Sequence, residues 1–344
     1  MRQAVRTRPI LILTISYEPG TDPVIEQLNE WGVPWFRVNL DMIGMHTTSS
    51  WLLEGGANYA DITVSAYGHL LNLNEVGVIW YRKHFRLAPN LRNAPEHIRN
   101  FVGREVEHYL RGIVASTLSK PWVNSYFYSR VGKMRHLEIA VASGLQVPPT
   151  LVTNEPAKVR EFVQRHSRVI VKPLSHPYVR DTDFHDREEG EPPLVCFADI
   201  LESKDIEDES RVLVCPAIYQ KYVDKSYELR ITVVGRKIFA AAMYTQQVEE
   251  ARIDWRRSGN KLLDVPHRTY DLPHELQTRV RLFMRRAGLR FACIDMIVTP
   301  ANDFIFLEAN PFGQWGWIEG LTGMPITRSV AELLVHLARE KVDA

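Results

Sequence analysis

The sequence predicts an α/β protein of two or three domains, opening on a parallel sheet and closing on an antiparallel hairpin. Three observations carry that prediction. The chain has 344 residues, more than one ordinary core organises. Its opening residues alternate strand, helix and strand, the pattern that lays parallel strands side by side with helices on their faces. Near its end two apolar runs of strand length are separated only by the turn sequence "PAND" (300–303).

Taken in order, "PILILTI" (9–15) is a strand and "DPVIEQLNEWG" (22–32) a helix, with Asp22 suited to the N-cap, Pro23 to the first helical position and Gly32 to the stop. "VPWFRVNL" and "EVGVIWYRK" are further strands, Pro95 to Leu118 a long helix, and "WVNSY" closes a first domain over 1–125. The basic residues before "ILILTI" resemble the start of a signal peptide, but the run is too short and meets Tyr-Glu-Pro in place of a small-residue cleavage site. A second unit, 126–218, begins at "SRVGKMRHLEIAVASGL", where Gly144 ends the helix, and continues with helix "PAKVREFVQRH" and strand "RVIVKPL". Residues 175–194 are polar and aperiodic, which predicts a long mobile loop or hairpin. A third unit, 219–344, holds "YELRITVVG", "KIFAAAMYT", a helix from His274 to Gly288, "FACIDMIV", "DFIFLEAN" and the closing helix "PITRSVAELLVHLARE", with "AIYQKYV" as the extended run leading into it.

Composition narrows the function classes. Lys+Arg 42 against Asp+Glu 41 leaves almost no net charge, which disfavours a nucleic-acid or membrane-surface partner. No run approaches transmembrane length. Cys196, Cys215 and Cys293 lie far apart without a CxxC or a nearby His set, so reduced thiols in a cytoplasmic protein are expected. The run "RVRLFMRR" (279–286) reads as a solvated helix face and His136 as an ordinary helix residue.

The closing hairpin carries the chemistry. If Ala301 and Asn302 form a two-residue loop, Pro300 faces Asp303 and the same register carries Asp295 directly opposite Glu308. Directly opposed residues share a face with Cβ atoms about 4.5–5.5 Å apart, and Asn310, two residues on, points the same way. Two carboxylates at that separation repel unless a cation lies between them, and three hard oxygen donors suit magnesium. A solvated strand end, with Asp295 bonded to an arginine, is the other reading of the hairpin alone. Lys172 at the end of an apolar strand needs an anion to offset burial, and Lys133 at a helix start can aim at the same place. Both are equally compatible with solvated element ends. Glu228 and Arg230 alternate on one strand; an acid for ribose hydroxyls and a cation for phosphates explain them, and so does a surface ion pair.

The order of these residues (Lys before a helix, Lys on a strand, an extended linker, Glu-x-Arg, an Asp strand, Glu-x-Asn) resembles the ATP-grasp ligases over residues 126 to 335. The resemblance implies an ATP-grasp fold: an N-terminal pre-ATP-grasp domain, a small central lid subdomain and a C-terminal ATP-grasp subdomain with the metal site. It implies ATP phosphates on Lys133 and Lys172. Adenine would rest on the Gln220 side chain and the backbone of Lys221 and Val223, and ribose on Glu228. Two Mg2+ ions would bind Asp295, Glu308 and Asn310. The stretches "YELRITVVGRKIFAAAM", "IDWR", "FACIDMIVTPANDFIFLEANPFGQWGWIE" and "VIWYRK" are similar to the graspetide, or microviridin-type, peptide maturases. Those enzymes bind a ribosomal precursor peptide by its leader and join core Asp or Glu side chains to Thr, Ser or Lys. Many ATP-grasp proteins carry a glycine-rich loop after the second lysine; "SHPYVRDTDFHD" has no glycine.

On that reading Arg230 and Arg256 are candidates to stabilise an acyl phosphate and the oxyanion that follows it, and Asp254 to orient Arg256 or assist deprotonation. The acidic stretch "SKDIEDES" (203–210) offers Glu207 and Asp208 to a basic leader, or is simply a solvated loop. Trp315 and Trp317 border the substrate entrance or serve as core aromatics. The resemblance admits a homodimer. Two other functions fit the same motifs: a carboxylate–amine ligase acting on free amino acids or a protein tail, and a nucleotide-binding protein that holds a peptide without chemistry. The Asp295, Glu308 and Asn310 set disfavours the last, since pure binding needs no metal cage.

Overall fold

In the first domain, Ile10–Thr14 (β1) leads through Asp22–Glu30 (α1) to Trp35–Asn39 (β2). Three antiparallel strands follow, Thr47–Leu52 (β3), Asp61–Ala66 (β4) and His69–Asn72 (β5), then Val78–Tyr81 (β6), the long helix Glu96–Ser116 (α2) and Trp122–Val123 (β7). The parallel sheet has the order β2-β1-β6-β7. Because β1 has its chain neighbour β2 on one side and β6 on the other, the crevice beyond the carboxyl ends of β1 and β6 is a topological switch point. The computed structural model describes residues 7–55, 60–83, 91, 93–175 and 195–339. Most of the loop expected at 175–194 therefore lies outside the described residues.

Two details differ from expectation. Thr21, not Asp22, is the residue before α1, and its hydroxyl is spent on Glu18 rather than on the helix. The β3–β4–β5 sheet is absent from the sequence reading. Its tight turn places Tyr67 at φ 50° and Gly68 at φ 82°, the double left-handed geometry that favours a two-residue hairpin. A tyrosine at the first position hides that signal.

The middle of the chain forms a second sheet, order β10-β9-β11-β8, from Thr150–Thr153 (β8), Val169–Lys172 (β9), Asp199–Ile200 (β10) and Ala217–Lys221 (β11). Helices Pro156–His166 (α4) and Glu209–Leu213 (α5) belong to the same part of the chain, preceded by Lys133–Ala142 (α3). β11 pairs with both β8 and β9. The stretch expected to link two units is thus a central strand of this sheet, and a boundary at 218/219 falls inside it. The strand must be present for β9, and hence Lys172, to be held.

The third sheet runs β14-β13-β12-β15-β16, all antiparallel: Tyr227–Val234 (β12), Lys237–Met243 (β13), His267–Thr269 (β14), Phe291–Val298 (β15) and Phe304–Asn310 (β16). Helices His274–Arg286 (α6), Gly316–Thr322 (α7) and Ile326–Ala338 (α8) complete the chain. Period-two alternation divides its side chains between two cores. Leu229, Ile231, Val233, Ile294, Met296 and Phe306 face α3 and α6. Val234, Phe291 and Cys293 face the opposite way and join Ile10, Ile12, Trp80 and Val123 of the first domain with Trp315, Val330 and Leu334 in one continuous core. Further along that second face the alternation brings up Glu228, Arg230 and Asp295 instead of apolar residues, so one end of it is core and the other is polar.

The hairpin register holds for a different reason from the one expected. Next to the turn, Val298 faces Phe304, and Thr299 N donates to Asp303 O, so the loop has three residues, with Asn302 at φ 64°. A β-bulge between Phe306 and Glu308 adds Leu307 to one strand only and restores Asp295 opposite Glu308.

After β16 the chain turns sharply at Asn310–Gly313. A Cβ on Gly313 would stand 2.3 Å from Cys293 Cβ and 2.6 Å from its Sγ. Gly313→Ala must therefore push β15 or the turn aside, and overpacking of this kind costs about 1–3 kcal/mol. Urea denaturation is expected to show a loss near the upper end of that range. An unchanged midpoint would mean that the turn does not press on β15.

Candidate active site

Glu308 is the centre of the polar face. Lys133, the first residue of α3, reaches it at 3.4 Å, and Arg256 at 3.9 Å from its other oxygen. Lys133 is placed by Gly132, whose φ of 86° turns the chain into the helix, and its ammonium also donates to the carbonyl of Pro173 at 3.0 Å. Burial pushes the Glu308 carboxyl up, but Lys133, Lys172 and Arg256 outweigh it and hold the group below the usual range. Across the strand pair, burial and the facing Glu308 charge drive Asp295 upward, even though Arg230 Nη1 donates to it at 2.8 Å. The two carboxylates are unequal: one sits among three cations, the other is enclosed with Arg230 bonded to it and Arg256 further off.

Arg256 lies in the turns of Trp255–Asp264 and is gripped by Asp254, which accepts from its Nε at 2.8 Å and its Nη2 at 2.7 Å. Asp254 is 5% exposed and also accepts from Ala198 N at 3.1 Å. Such a forked pair fixes the plane of a guanidinium, so Asp254 holds Arg256 in place and ties the segment to β10's approach.

Gln220 is bonded at both ends of its amide. Its side chain is fully buried; its carbonyl accepts from Lys172 Nζ at 3.0 Å and its amide donates to Thr150 Oγ1 at 2.8 Å. It bridges Lys172 and Thr150 and also lies in the lining of the neighbouring cleft. Glu228, 4% exposed, accepts from Lys225 Nζ at 2.6 Å and Thr245 Oγ1 at 3.1 Å. Lys225 is the member of that pair that lines the neighbouring cleft, together with Ile170, Lys221, Val223, Ile297 and Leu307. Sequence reasoning missed Lys225 and the apolar walls. Leu307 is the bulged residue, so the same irregularity that restores the carboxylate register supplies a wall of the cleft. An apolar slot edged by the β11 backbone suits a flat heterocycle.

The remaining expected residues divide. Asn310 is exposed at the strand end, its Oδ1 accepting from Phe312 N at 2.9 Å. Asp208 caps α5, accepting from Ser210 N at 3.1 Å, and Glu207 is exposed beside it. Neither Glu207 nor Asp208 makes a described contact with the carboxylate pair. Trp315 is a core residue, 1% exposed; Trp317 packs on Trp255 at 5.2 Å and His267 at 5.5 Å. His136 is buried against Phe283. Cys196 and Cys215 are exposed and Cys293 is buried, all three free.

Asp295, Glu308 and Asn310 are chemically suited to magnesium: all offer hard oxygens, and a divalent cation between the carboxylates would relieve the repulsion that drives Asp295 upward. Among the described residues no three Asp, Glu, His or Cys side chains form a ready-made cage. Two carboxylates and an amide leave positions open for phosphate oxygens and water, which is how magnesium is commonly held beside a nucleotide.

Comparisons with known proteins bear on the chain as a whole. Residues 9–130 match the MvdD pre-ATP-grasp domain and residues 137–301 the prokaryotic glutathione synthetase ATP-grasp domain. No curated protein matches the chain. Among solved structures, a RiPP-associated ATP-grasp ligase of Chryseobacterium gregarium, in complex with ADP and a leader and core peptide, is 25% identical with a TM-score of 0.84, covering 98% of this chain and 100% of its own. The macrocyclase MdnC of Microcystis aeruginosa MRC, bound with precursor peptide MdnA, is 28% identical with a TM-score of 0.81, covering 95% and 99%. Macrocyclase MdnB of the same organism is 26% identical with a TM-score of 0.77, covering 95% and 99%. With both of its domains matched in order and its whole length superposable on such enzymes, the chain belongs to the ATP-grasp ligases of the graspetide peptide-maturase family.

Proposed function

We propose that this ligase closes rings in a ribosomal precursor peptide, using ATP to activate Asp or Glu side chains and joining them to Thr, Ser or Lys side chains. The observation that carries the reading is the opposed Asp295–Glu308 pair with Lys133, Arg230 and Arg256 bonded or paired to it and Lys172 beside it. A carboxylate is a poor acyl donor at neutral pH. Transfer of the terminal phosphoryl group gives an acyl phosphate and ADP; attack by a hydroxyl or amine then releases phosphate and leaves an ester or amide. Such transfer depends on positioning and on neutralising charge. Lys133 and Lys172 supply charge at the phosphates, and Arg256, held by Asp254, faces the reacting carboxylate with Arg230 behind Asp295. Adenine occupies the apolar cleft along β11, with Lys225 near the ribose. Asp295, Glu308 and Asn310 would hold magnesium, two ions if each carboxylate served one, which would supply positive charge to the phosphates. The leader and core peptide, by analogy with the ligands named for the similar enzymes, approach over the described surface outside this cleft. Among the described residues no helix is long and apolar enough to cross a membrane.

Incubation with ATP, magnesium and a precursor encoded beside the gene is expected to remove one water, about 18 Da, for each ring formed. A set of neighbouring precursors that all keep their mass while ATP is consumed in the presence of free amino acids would favour the amine-ligase alternative instead. Glu308→Gln is expected to cut turnover by more than the about 10–100-fold typical of outer-shell losses at metal sites, with precursor affinity retained in a direct binding measurement. Turnover within about threefold of the parent would remove Glu308 from the reacting centre.

Burial lowers the Lys172 pKa to about 8, with Glu308 opposing and Lys133 and Arg256 reinforcing the shift. The charged form is the one that attracts phosphate. In the free enzyme it is therefore present below about pH 8 and lost above it. ADP affinity measured without magnesium is expected to fall as the pH rises through about 8, while Lys172→Arg keeps its charge and flattens the profile. A wild-type affinity that is constant from pH 7 to about 9.5 would show that Lys172 does not face the phosphates.

A further inference from the structure

The turn that follows the hairpin's final residue, Asn310, is gripped by several side chains of the first domain. Asn124, at the end of β7, donates to the carbonyl of Pro311 at 3.3 Å while its Oδ1 accepts from Arg290 N and Phe291 N. Lys83 Nζ donates to Phe312 O at 3.4 Å, and the Phe312 ring stands edge-on to Tyr81 at 5.4 Å. Gln314 is gripped at both ends: its Oε1 accepts from Arg82 Nη2 at 2.9 Å, and its Nε2 donates to Glu18 Oε1 at 2.7 Å. Arg82 and Glu18 are themselves paired at 3.0 Å, both almost fully buried, with the guanidinium over the Trp315 ring at 4.7 Å. Gly20 closes the arrangement, since a Cβ there would meet Trp315, Arg82 and Gln314 at 3.1 to 3.3 Å.

The backbone of the gripped residue then acts on the site. The carbonyl of Gln314 accepts from Arg230 Nη2 at 3.0 Å, and Arg230 Nη1 holds Asp295. One end of the turn carries Asn310; the other carries the carbonyl that orients the arginine on Asp295. We infer that the Glu18–Arg82 pair and Gln314 are positioning residues through which the first domain sets the geometry of the metal-binding end of the active site. Among the described hydrogen bonds and ion pairs, none of those made by Glu18, Arg82 and Gln314 runs to a residue that lines the cleft, so the effect is expected at that end. The inference rests on the proposed magnesium role of Asp295 and Asn310.

The buried ion pair is a poor place to cut, because removing either partner strands a charge. Gln314→Met keeps the volume and the pair and severs only the link to the turn. Calorimetric ADP titrations with and without magnesium give the readout. In the parent, magnesium is expected to tighten ADP binding, and Gln314→Met to reduce that tightening by about tenfold, the scale of outer-shell losses at metal sites, with magnesium-free ADP affinity within about twofold. A purely structural role would lower the bound fraction in both titrations alike and leave the magnesium ratio unchanged, which overturns the inference. Lys83→Met leaves the ion pair and Asn124 intact and is expected to give the same effect in smaller measure; it decides the question if Gln314→Met does not fold. Asn310→Ala separates the two layers of argument. If it abolishes magnesium tightening while both clamp variants retain it, the clamp fails alone; if it too leaves the tightening intact, the magnesium reading fails and takes the clamp with it.

Discussion

Two carboxylates that must face each other across adjacent strands set the terms for the rest of the molecule. Like charges opposed on a sheet are destabilising, and neither Asp295 nor Glu308 can retreat, because each is fixed by a register that also builds the core behind it. The protein answers the problem from three directions. Arg230 arrives from the neighbouring strand β12, Lys133 from the start of α3 and Arg256 from the turns after β13. The result is a site with preorganised charges, in which, on the proposed function, incoming phosphates and their metal would find partners already in place. That is the condition under which electrostatic stabilisation is strongest, since little has to reorganise when the reaction occurs.

The same constraint explains the odd composition of the third sheet. A sheet buried on both faces usually reads as continuous apolar sequence. Here β12 reads Tyr-Glu-Leu-Arg-Ile-Thr-Val-Val, apolar at every second position throughout and polar at the others until Val234. The even positions pass from active site to shared core within one strand. Glu228, Arg230, Thr232 and Val234 thus trace the gradient from reacting charge to packed hydrocarbon.

Much of this was legible in sequence, and the exceptions have physical causes. The βαβ opening, the long α2 and the closing hairpin followed from periodicity and stop signals. Asp295 opposite Glu308 was foreseen with the wrong loop: a two-residue turn and a three-residue turn with a bulge give the same pairing at the far end, and pattern alone does not separate them. Motif order put Gln220 near a base, and it does line the cleft, but its bonds to Lys172 and Thr150 could not be read, because hydrogen-bond direction is not encoded in spacing. The β3–β5 sheet escaped because its turn uses Tyr67 in a left-handed conformation where Asn or Gly is the usual marker. Lys225 escaped because a lysine beside a buried acid looks like a surface ion pair until the cleft next to it is seen.

One core, and not a linker, joins the first domain to the last. Ile10, Ile12 and Trp80 pack in the same cluster as Phe291, Trp315, Val330 and Leu334, and Arg8 N donates to the carbonyl of Ala338 at 3.1 Å, closing the two ends of the chain on each other. Maturases of this kind are attractive parts for recombination, with one enzyme's substrate preference grafted onto another's catalytic half. In this chain a seam drawn at the end of the first domain would pass through hydrocarbon. A working hybrid would have to inherit both linings of that core from one parent, so the transferable unit is the whole ligase and not its front half.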